Sequence, residues 1–467
     1  MRIEPGASEP PGAPAAGQGP GDGGEPGASA LPAIAPADSL AGRRVLVLIS
    51  GSIAAVKLPQ LVSALVARGA EVRCALTPSA ARLVSPVALA CLSRQACCLD
   101  EDQWSHREPR PLHIALAEWA EVVLLAPLSA TTLARWVHGL ADGLVASILQ
   151  ACEAPVLAAP AMNTAMWDSA AVRRNRELLH AQERVLVVPP EPGLLACDRR
   201  GDGRMADPLR LLLGLESLLL RGWRRDWSGR RLLVSAGPTR EFLDPARCLT
   251  NPSTGRMGVM LAQAALLRGA RVDLVHGPLR VETALLGGLD LHPVLTAAEM
   301  EPRLRRLQEG ADAIAMAAAV ADHRRAVVAA DKAPKDQLQQ ALASGWEPVP
   351  DLLADLVARR PPGQLILGFA AHSGEVLSQA RAKFARKGCD LLFANPIDQP
   401  GTGFAAEANA GWLLGPGGLV ERIEPASKLA VAHRLLDALA GLASQAASGS
   451  GSDPAAGSGD TGRVSSR

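Results

Sequence analysis

Apolar residues in this chain fall into short runs of strand length, separated by stretches in which they recur at helical spacing. From Arg43 the run RVLVLIS ends in a Gly51-Ser52 turn, IAAVKLPQLVSALVARG follows with a helical pattern, and VRCALT returns to strand character. Further strand-length runs stand at EVVLLAP (121–127), PVLAAP (155–160) and RVLVVPP (184–190), again with helical segments between them. Strand, helix, strand in repetition predicts a doubly wound, mostly parallel α/β sheet.

The pattern then restarts. Residues 209–222 are Leu-rich and helical, and 223–230 (WRRDWSGR) read as a polar hinge. RLLVSAG opens a second unit with a helix at 257–269, strands at 271–277, 311–317 and 364–370, a helix at 374–388, a strand at 389–395 and a final helix near 427–443. In both units Arg-Gly-Ala ends a helix before the second strand (RGAEVR at 68–73, RGARVD at 268–273), because glycine closes a helix in the left-handed conformation. The expected organisation is a tail at 1–41, a first domain at 42–208, a linker at 209–230, a second domain at 231–444 and a tail at 445–467.

Composition changes this picture mainly at the ends. Residues 1–41 are mostly Gly, Pro and Ala and residues 445–467 are Ser/Gly-rich, so neither buries enough apolar surface to offset its ordering entropy, and both are expected to be disordered. A net charge of +1, with no basic run interleaved with aromatics, argues against a nucleic-acid partner. MRIEPGASEPPG lacks a signal-peptide core and no apolar stretch reaches membrane-spanning length, so no membrane partner is expected and a cytoplasmic location is. The eight cysteines (74, 91, 97, 98, 152, 197, 248 and 389) show no zinc-ligand spacing, and most sit in apolar segments as small hydrophobes. Cys197 differs, lying in the polar, Gly-containing loop LLACDRRGDGRM, where a thiol can be exposed and reactive.

Candidate chemistry gathers at strand ends. Ser50-Gly51-Ser52-Ile53 at the mouth of a helix offers hydroxyls, close backbone approach and orphan N–H groups that suit a phosphate, and Ala126-Pro127-Leu128-Ser129-Ala130-Thr131-Thr132 repeats the arrangement. PAMNTAMW (160–167) follows a buried run and presents Asn163 between Met162 and Met166, either as an amide that orients a ligand or as a helix start packed by methionines. His113, heading the amphipathic HIALAEWAE, reads as a structural residue or as a catalyst. Gly201-Asp202-Gly203-Arg204-Met205-Ala206 matches GxGxxA but follows a Pro-rich turn instead of a strand, so it is rejected as a dinucleotide fingerprint.

Taken in order, GSIAAVK, HIALAEWA, PAMNTAMW and ACDRRGDGRM resemble the flavin-dependent cysteine decarboxylase family, marked by a glycine-serine FMN turn, a histidine, a PxMNxxMW motif and a cysteine-bearing flap. The second unit, with SAGPTREFLDPARCLTNPSTGRMG, AAAVADHR and LGFAA, resembles phosphopantothenate-cysteine ligase. Together, over about 42 to 440, they are similar to the bifunctional enzymes of coenzyme A biosynthesis. The resemblance implies a flavodoxin-like or Rossmann-like flavoprotein domain followed by a Rossmann-like ligase domain.

The resemblance also implies roles. In the ligase half, CTP would activate the carboxylate of 4′-phosphopantothenate as an acyl-cytidylate, which cysteine's amine attacks. Asn251 would stabilise that species, while Ala318, Asp322, Lys332, Phe369, Lys383, Lys387 and the PDLLA stretch (Asp351, Leu352, Leu353, Ala354) would contact CTP, with Mg²⁺ neutralising the triphosphate. In the decarboxylase half, FMN would oxidise the thiol to a thioaldehyde so that loss of CO₂ leaves an ene-thiol, which the reduced flavin returns to the thiol level. His113 would be the acid-base residue, Asn163 the carboxylate clamp and Cys197 the late proton donor. Gly51, Ser52, Ile53, Thr77, Ser129, Ala130, Thr131 and Met162 would hold the flavin.

Five positions depart from the family pattern: Asp198 stands where glycine is usual, Arg256 where lysine is frequent, Pro334 where a lysine is common, Val349 where asparagine is usual and His372 where glutamate is. They bear on flap closure and on nucleotide preference. The metal ligands stay unassigned. Two rival readings are a non-catalytic flavoprotein regulatory subunit of the same fold, disfavoured because the histidine, asparagine and cysteine are all present, and a peptide-cysteine decarboxylase, which lacks a second domain. The family's trimeric decarboxylase units and dimeric ligase domains imply a homo-oligomer.

Overall fold

The computed structural model describes residues 39–105, 110–194, 200–399, 401, 403 and 406–449. Residues 1–38 and 450–467, which hold most of both expected tails, lie outside the described residues, and so does Cys197.

Six strands build the first sheet: β1 (Arg44–Ile49), β2 (Glu71–Leu76), β3 (Cys97–Cys98), β4 (Val122–Leu128), β5 (Val156–Pro160) and β6 (Val185–Val187), in the order β3-β2-β1-β4-β5-β6 and all parallel. Val45 to Ile49 are fully buried, as a strand covered on both faces by helices requires. The chain runs to one side of β1 through β2 and to the other through β4. The turns after β1 and β4 therefore diverge and open a crevice at their carboxyl ends.

Between the two sheets lie β7 (Glu191–Leu194) and β8 (Arg200–Arg204), an antiparallel hairpin, and then the helix Pro208–Arg221. That helix starts where the linker was expected, yet it is packed on both sides. Leu211, Leu212, Leu215 and Leu218 join the first core and Leu213 the second. Each such leucine contributes roughly 1.5–3 kcal/mol on burial, which is why a Leu-rich stretch does not remain a solvated linker. Ion pairs tie the same region to the rest of the chain: Arg68 to Glu216, Arg221 to Asp437, and the 2 % exposed Arg268 to Asp226 and Asp437.

The second sheet contains β9 (Arg231–Ala236), β12 (Arg271–His276), β13 (Asp290–Pro293), β14 (Ala313–Met316), β17 (Leu365–His372), β18 (Leu391–Pro396), β19 (Ala408–Leu414) and β20 (Val420–Ser427), while β10 (Arg240–Asp244) pairs β11 (Arg247–Thr250) and β15 (His323–Arg325) pairs β16 (Trp346–Pro348) outside it. Its order, β13-β12-β9-β14-β17-β18-β19-β20, repeats the plan of the first sheet and then adds two antiparallel strands. Those last two strands were not foreseen from the sequence. Gly69 and Gly269 take φ of 82° and 93°, the left-handed helix ends that the repeated Arg-Gly-Ala implied. The final helix runs from Lys428 to Gly449, past the expected boundary at 444.

Two candidate active sites at the switch points of the sheets

In the first half, Ser50 locks the crevice. Its buried hydroxyl donates to the Pro127 carbonyl at 2.7 Å and accepts from the Ser129 amide at 2.8 Å, so the turns after β1 and β4 hold each other in place. Ser52 caps the short helix Ile53–Lys57 without using its hydroxyl on it. Thr77 caps Pro78–Ala81 and Ser129 caps Ala130–Val137, accepting from the Thr132 amide at 3.3 Å. A side chain at Gly51 would place Cβ 2.4 Å from that of Ser79, so this turn admits only glycine. Hydroxyls and helix-start amides on three adjacent strand ends form a donor set suited to a phosphate. Thr131 is exposed on the same turn, with Ala130 half-buried.

Of the two readings of PAMNTAMW, the helix start is visible in the structure. Asn163 caps the four-residue helix Thr164–Trp167, its Oδ1 accepting from the Ala165 amide at 2.8 Å. Met162 and Trp167 are buried, whereas Met166 is 47 % exposed, so one methionine packs and the other faces outward. The β7–β8 hairpin docks on this segment. Met162 N–H donates to Gly203 O at 3.0 Å, and Thr164 Oγ1 donates to Asp202 O at 2.7 Å. Side chains at Gly201 and Gly203 would come within 2.5 Å of Thr164 Oγ1 and 2.1 Å of the Met162 carbonyl. The glycines of the rejected GxGxxA thus let two backbones meet. His113 lies in the first turn of the helix Leu112–Trp119, edge-on to the exposed Trp104 at 6.4 Å between centroids. Its buried Nδ1 has no hydrogen-bond partner among the described residues, which is unusual for a structural histidine.

In the second half the switch point between β9 and β14 opens into a cavity of about 540 Å³. Asn251, Ala318, Asp322, Asp351, Leu352, Leu353, Phe369, Lys383 and Lys387 all line it. Asn251 Nδ2 donates to Ala319 O at 3.1 Å and Val320 O at 3.3 Å, which fixes the amide against the exit of β14. Ser235 and Thr239 hold that exit from the other side, accepting from the Ala318 and Ala321 amides at 3.1 and 3.0 Å.

Cationic groups face the cavity. Lys383 donates to Phe369 O at 3.2 Å, and burial followed by the neighbouring Lys387 pulls its pKa below the usual lysine range. Asp351 caps the helix Leu352–Arg359 and pairs with Lys387; burial works to raise its pKa, but Lys387 and the Ala354 amide outweigh it and hold the carboxyl below its ordinary value. Ala354 therefore contributes an amide to the cap and does not line the cavity. Lys332 is exposed and stands apart from it.

Of the departing positions, Arg256 and Val349 line the cavity, and Arg256 pairs with Glu282 and Glu407. Pro334 precedes the helix Lys335–Ala343. His372 ends β17, with Nε2 buried and unpartnered among the described residues and its pKa lowered by burial and by Lys383.

Sequence reading missed Lys428. It is 3 % exposed, lines the cavity and donates to Gly403 O at 3.0 Å; burial, then Arg256, brings its pKa down to about 8. The available signal was a lysine at the start of a helix, where the macrodipole disfavours a cation. Among the described residues no cluster of three or more His, Cys, Asp or Glu could hold a metal ion. A divalent cation here would need oxygens from a substrate.

The flavoprotein family matches residues 34–217, and the DNA/pantothenate metabolism flavoprotein C-terminal domain matches residues 227–442. The chain is 35% identical over 407 residues to the coenzyme A biosynthesis bifunctional protein CoaBC of Bacillus subtilis, covering 87% of this chain and 98% of that protein. It is 38% identical over 376 residues to the Escherichia coli K12 protein of the same name (80% and 90% covered), and 36% identical over 419 residues to that of Mycobacterium bovis (85% and 96%). The solved C-terminal domain of a coenzyme A biosynthesis bifunctional protein is 28% identical, covering 47% of this chain and 99% of that one at a TM-score of 0.39. The two matches follow one another in the order of the two sites, and the relatives align over most of their length. The chain belongs to the family of coenzyme A biosynthesis bifunctional proteins.

Proposed function

We propose that this chain carries out two consecutive reactions, joining cysteine to 4′-phosphopantothenate at the expense of CTP and decarboxylating the product to 4′-phosphopantetheine. The observation that carries the reading is the cavity of the second half, where Asn251, Asp322, Phe369 and two lysines of one helix, Lys383 and Lys387, converge. The lysines line the cavity a triphosphate would occupy, and Asp322, on the same wall, would share a Mg²⁺ ion with its oxygens. Asn251, held by two backbone carbonyls, is fixed at the wall of the cavity in which an acyl-cytidylate would form. The exposed Lys332 reaches this site only if its loop moves.

The first half fits FMN: hydroxyls and helix-start amides for one phosphate, and Met162 and the Asn163 turn beside them. Bound FMN supplies a reversible two-electron couple, which gives the departing carboxylate an adjacent electron sink. His113 offers Nδ1 for proton transfer, and Asn163 orients the carboxylate. Cys197, which lies outside the described residues, donates the last proton. The apolar groups beside this crevice, Ile53, Val56, Trp104 and Met166, are between 47 % and 79 % exposed, which supports completion of the site by a second copy in a homo-oligomer. No described helix is long and apolar enough to cross a membrane.

The test is to incubate purified protein with 4′-phosphopantothenate, cysteine, CTP and Mg²⁺ and to identify products by mass. 4′-Phosphopantetheine is expected; unchanged substrate with FMN bound would refute the reading in favour of a non-catalytic flavoprotein.

A further inference from the structure

A third cavity, of about 240 Å³, lies away from both sites, between the helix Ala170–His180 of the first half and the end of the helix Arg256–Leu267 of the second. Arg176, His180 and Arg225 line it together, over an apolar floor that includes Leu186 and Leu266, and no carboxylate lines it among the described residues. Arg176 stacks on Trp167 with its guanidinium 3.7 Å from the ring centroid, and its buried Nε has no partner among the described residues. Arg225 donates to Val185 O at 3.0 Å. Among the described residues neither arginine forms an ion pair, whereas Arg268, Arg221 and Arg231 nearby in sequence all do.

Two half-buried guanidiniums that converge without a counter-charge lose hydration that only an anion can restore. Their mutual reach is visible at His180, whose pKa is lowered first by burial and then by Arg225 and Arg176. The indole and leucines add a surface for an apolar body beside the charge. We propose that this cavity binds a small phosphate monoester, the two guanidiniums holding the phosphoryl oxygens and Trp167 with the leucine floor holding the organic part. Trp167 closes the short helix that Asn163 caps, so an occupant touches the element that presents Asn163.

The experiment is calorimetric titration of the full-length, flavin-loaded protein with phenyl phosphate and, separately, with inorganic phosphate. Phenyl phosphate is expected to bind a saturable site that Arg176→Gln and Arg225→Gln each weaken roughly tenfold or more, the loss typical of a charge-assisted contact. Arg224→Gln, on an exposed neighbour, should leave it unchanged. Circular dichroism and flavin content check folding, and Arg176→Lys, which keeps charge but loses the planar fork, makes the same comparison if Arg176→Gln misfolds. Equal affinity in the folded variants would overturn the site. Inorganic phosphate binding as tightly as phenyl phosphate would overturn the monoester assignment.

Discussion

The two halves share one sheet plan but finish their sites differently. At the β9/β14 switch point the chain lines a cavity of about 540 Å³, with Asn251 contributed from the segment after β11, Lys383 and Lys387 from the helix Val376–Lys387 and Lys428 from the final helix. At the β1/β4 switch point Ser50 ties the two turns together, Ile53 on the first of them is exposed, and the β7–β8 hairpin docks on the neighbouring Met162–Thr164 segment. The difference lies in what extends each sheet. The added antiparallel strand β19 and the final helix contribute Asn409 and Lys428 to the wall of the second site, and among the described residues no added strand extends the first sheet beyond β6. A strand order thus sets where a ligand binds, while the elements added to it decide whether one chain suffices to surround it.

The comparison breaks most sharply at the catalytic residues. His113→Asn should lower CO₂ release from 4′-phosphopantothenoylcysteine by roughly 10²–10⁴-fold, the range for a lost acid-base group, while CMP release by the ligase half persists. Coupled loss of both activities in a protein that retained FMN would mean the sites are not separate. Asn251→Asp should cost the ligase roughly 10²–10³-fold and leave decarboxylation of supplied intermediate within about twofold, because a carboxylate cannot donate to the Ala319 and Val320 carbonyls and loses its place in the wall of one site only. Single-turnover CMP release and CO₂ release, measured side by side, check it.

A smaller effect sharpens the role of the hairpin. Gly203→Val forces Cβ into the Met162 carbonyl at a φ of 143°, so the hairpin must lift. Decarboxylation should fall about tenfold or more, in line with displacement of a positioned group by about 1 Å, with ligation unchanged. Equal loss in both halves would show that the hairpin supports the fold and not one site.

The smallest expected effect concerns what joins the halves. His433 is 2 % exposed and packed near Arg268 and Arg221; burial, then those arginines, pushes its pKa down to about 3. Its folded pKa lies below the unfolded value, so between about pH 6.5 and 3 the unfolded chain binds one more proton at this position. Stability from this group is complete above pH 6.5 and is lost as pH falls, by up to about 1.4 kcal/mol per unit. Urea unfolding at pH 7 and pH 5 should show His433→Leu losing about 2 kcal/mol less than the parent over that interval. An identical pH response would mean that this histidine does not titrate differently on folding.

Much of this architecture was legible from the sequence. Apolar runs at 121–127, 155–160 and 311–317 became β4, β5 and β14, because strands covered on both faces leave no room for polar residues. The turn residues Ser50, Gly51, Ser52 and Ser129 stood out by type, Thr77 came from the family resemblance, and all five lie at adjacent strand ends. Lys428 did not, since its one signal, a cation at a helix start, depends on where that helix begins and carries no period or motif. β19 and β20 were missed for a related reason: ANAGWLL and VERIEPAS mix small and charged residues, and only pairing with β18 selects the extended form.

By itself, then, the sequence determined two doubly wound units, their order, and the strand ends at which chemistry would gather, since burial pattern and turn chemistry are local properties of a chain. Tertiary structure alone decided the rest. It packed the helix Pro208–Arg221 into two cores, seated the glycines of the hairpin on the Asn163 turn, and brought Lys428 under Arg256 at the wall of the second site. Each of these depends on which distant surfaces meet, and contact between surfaces far apart in the chain leaves no period in the sequence to read.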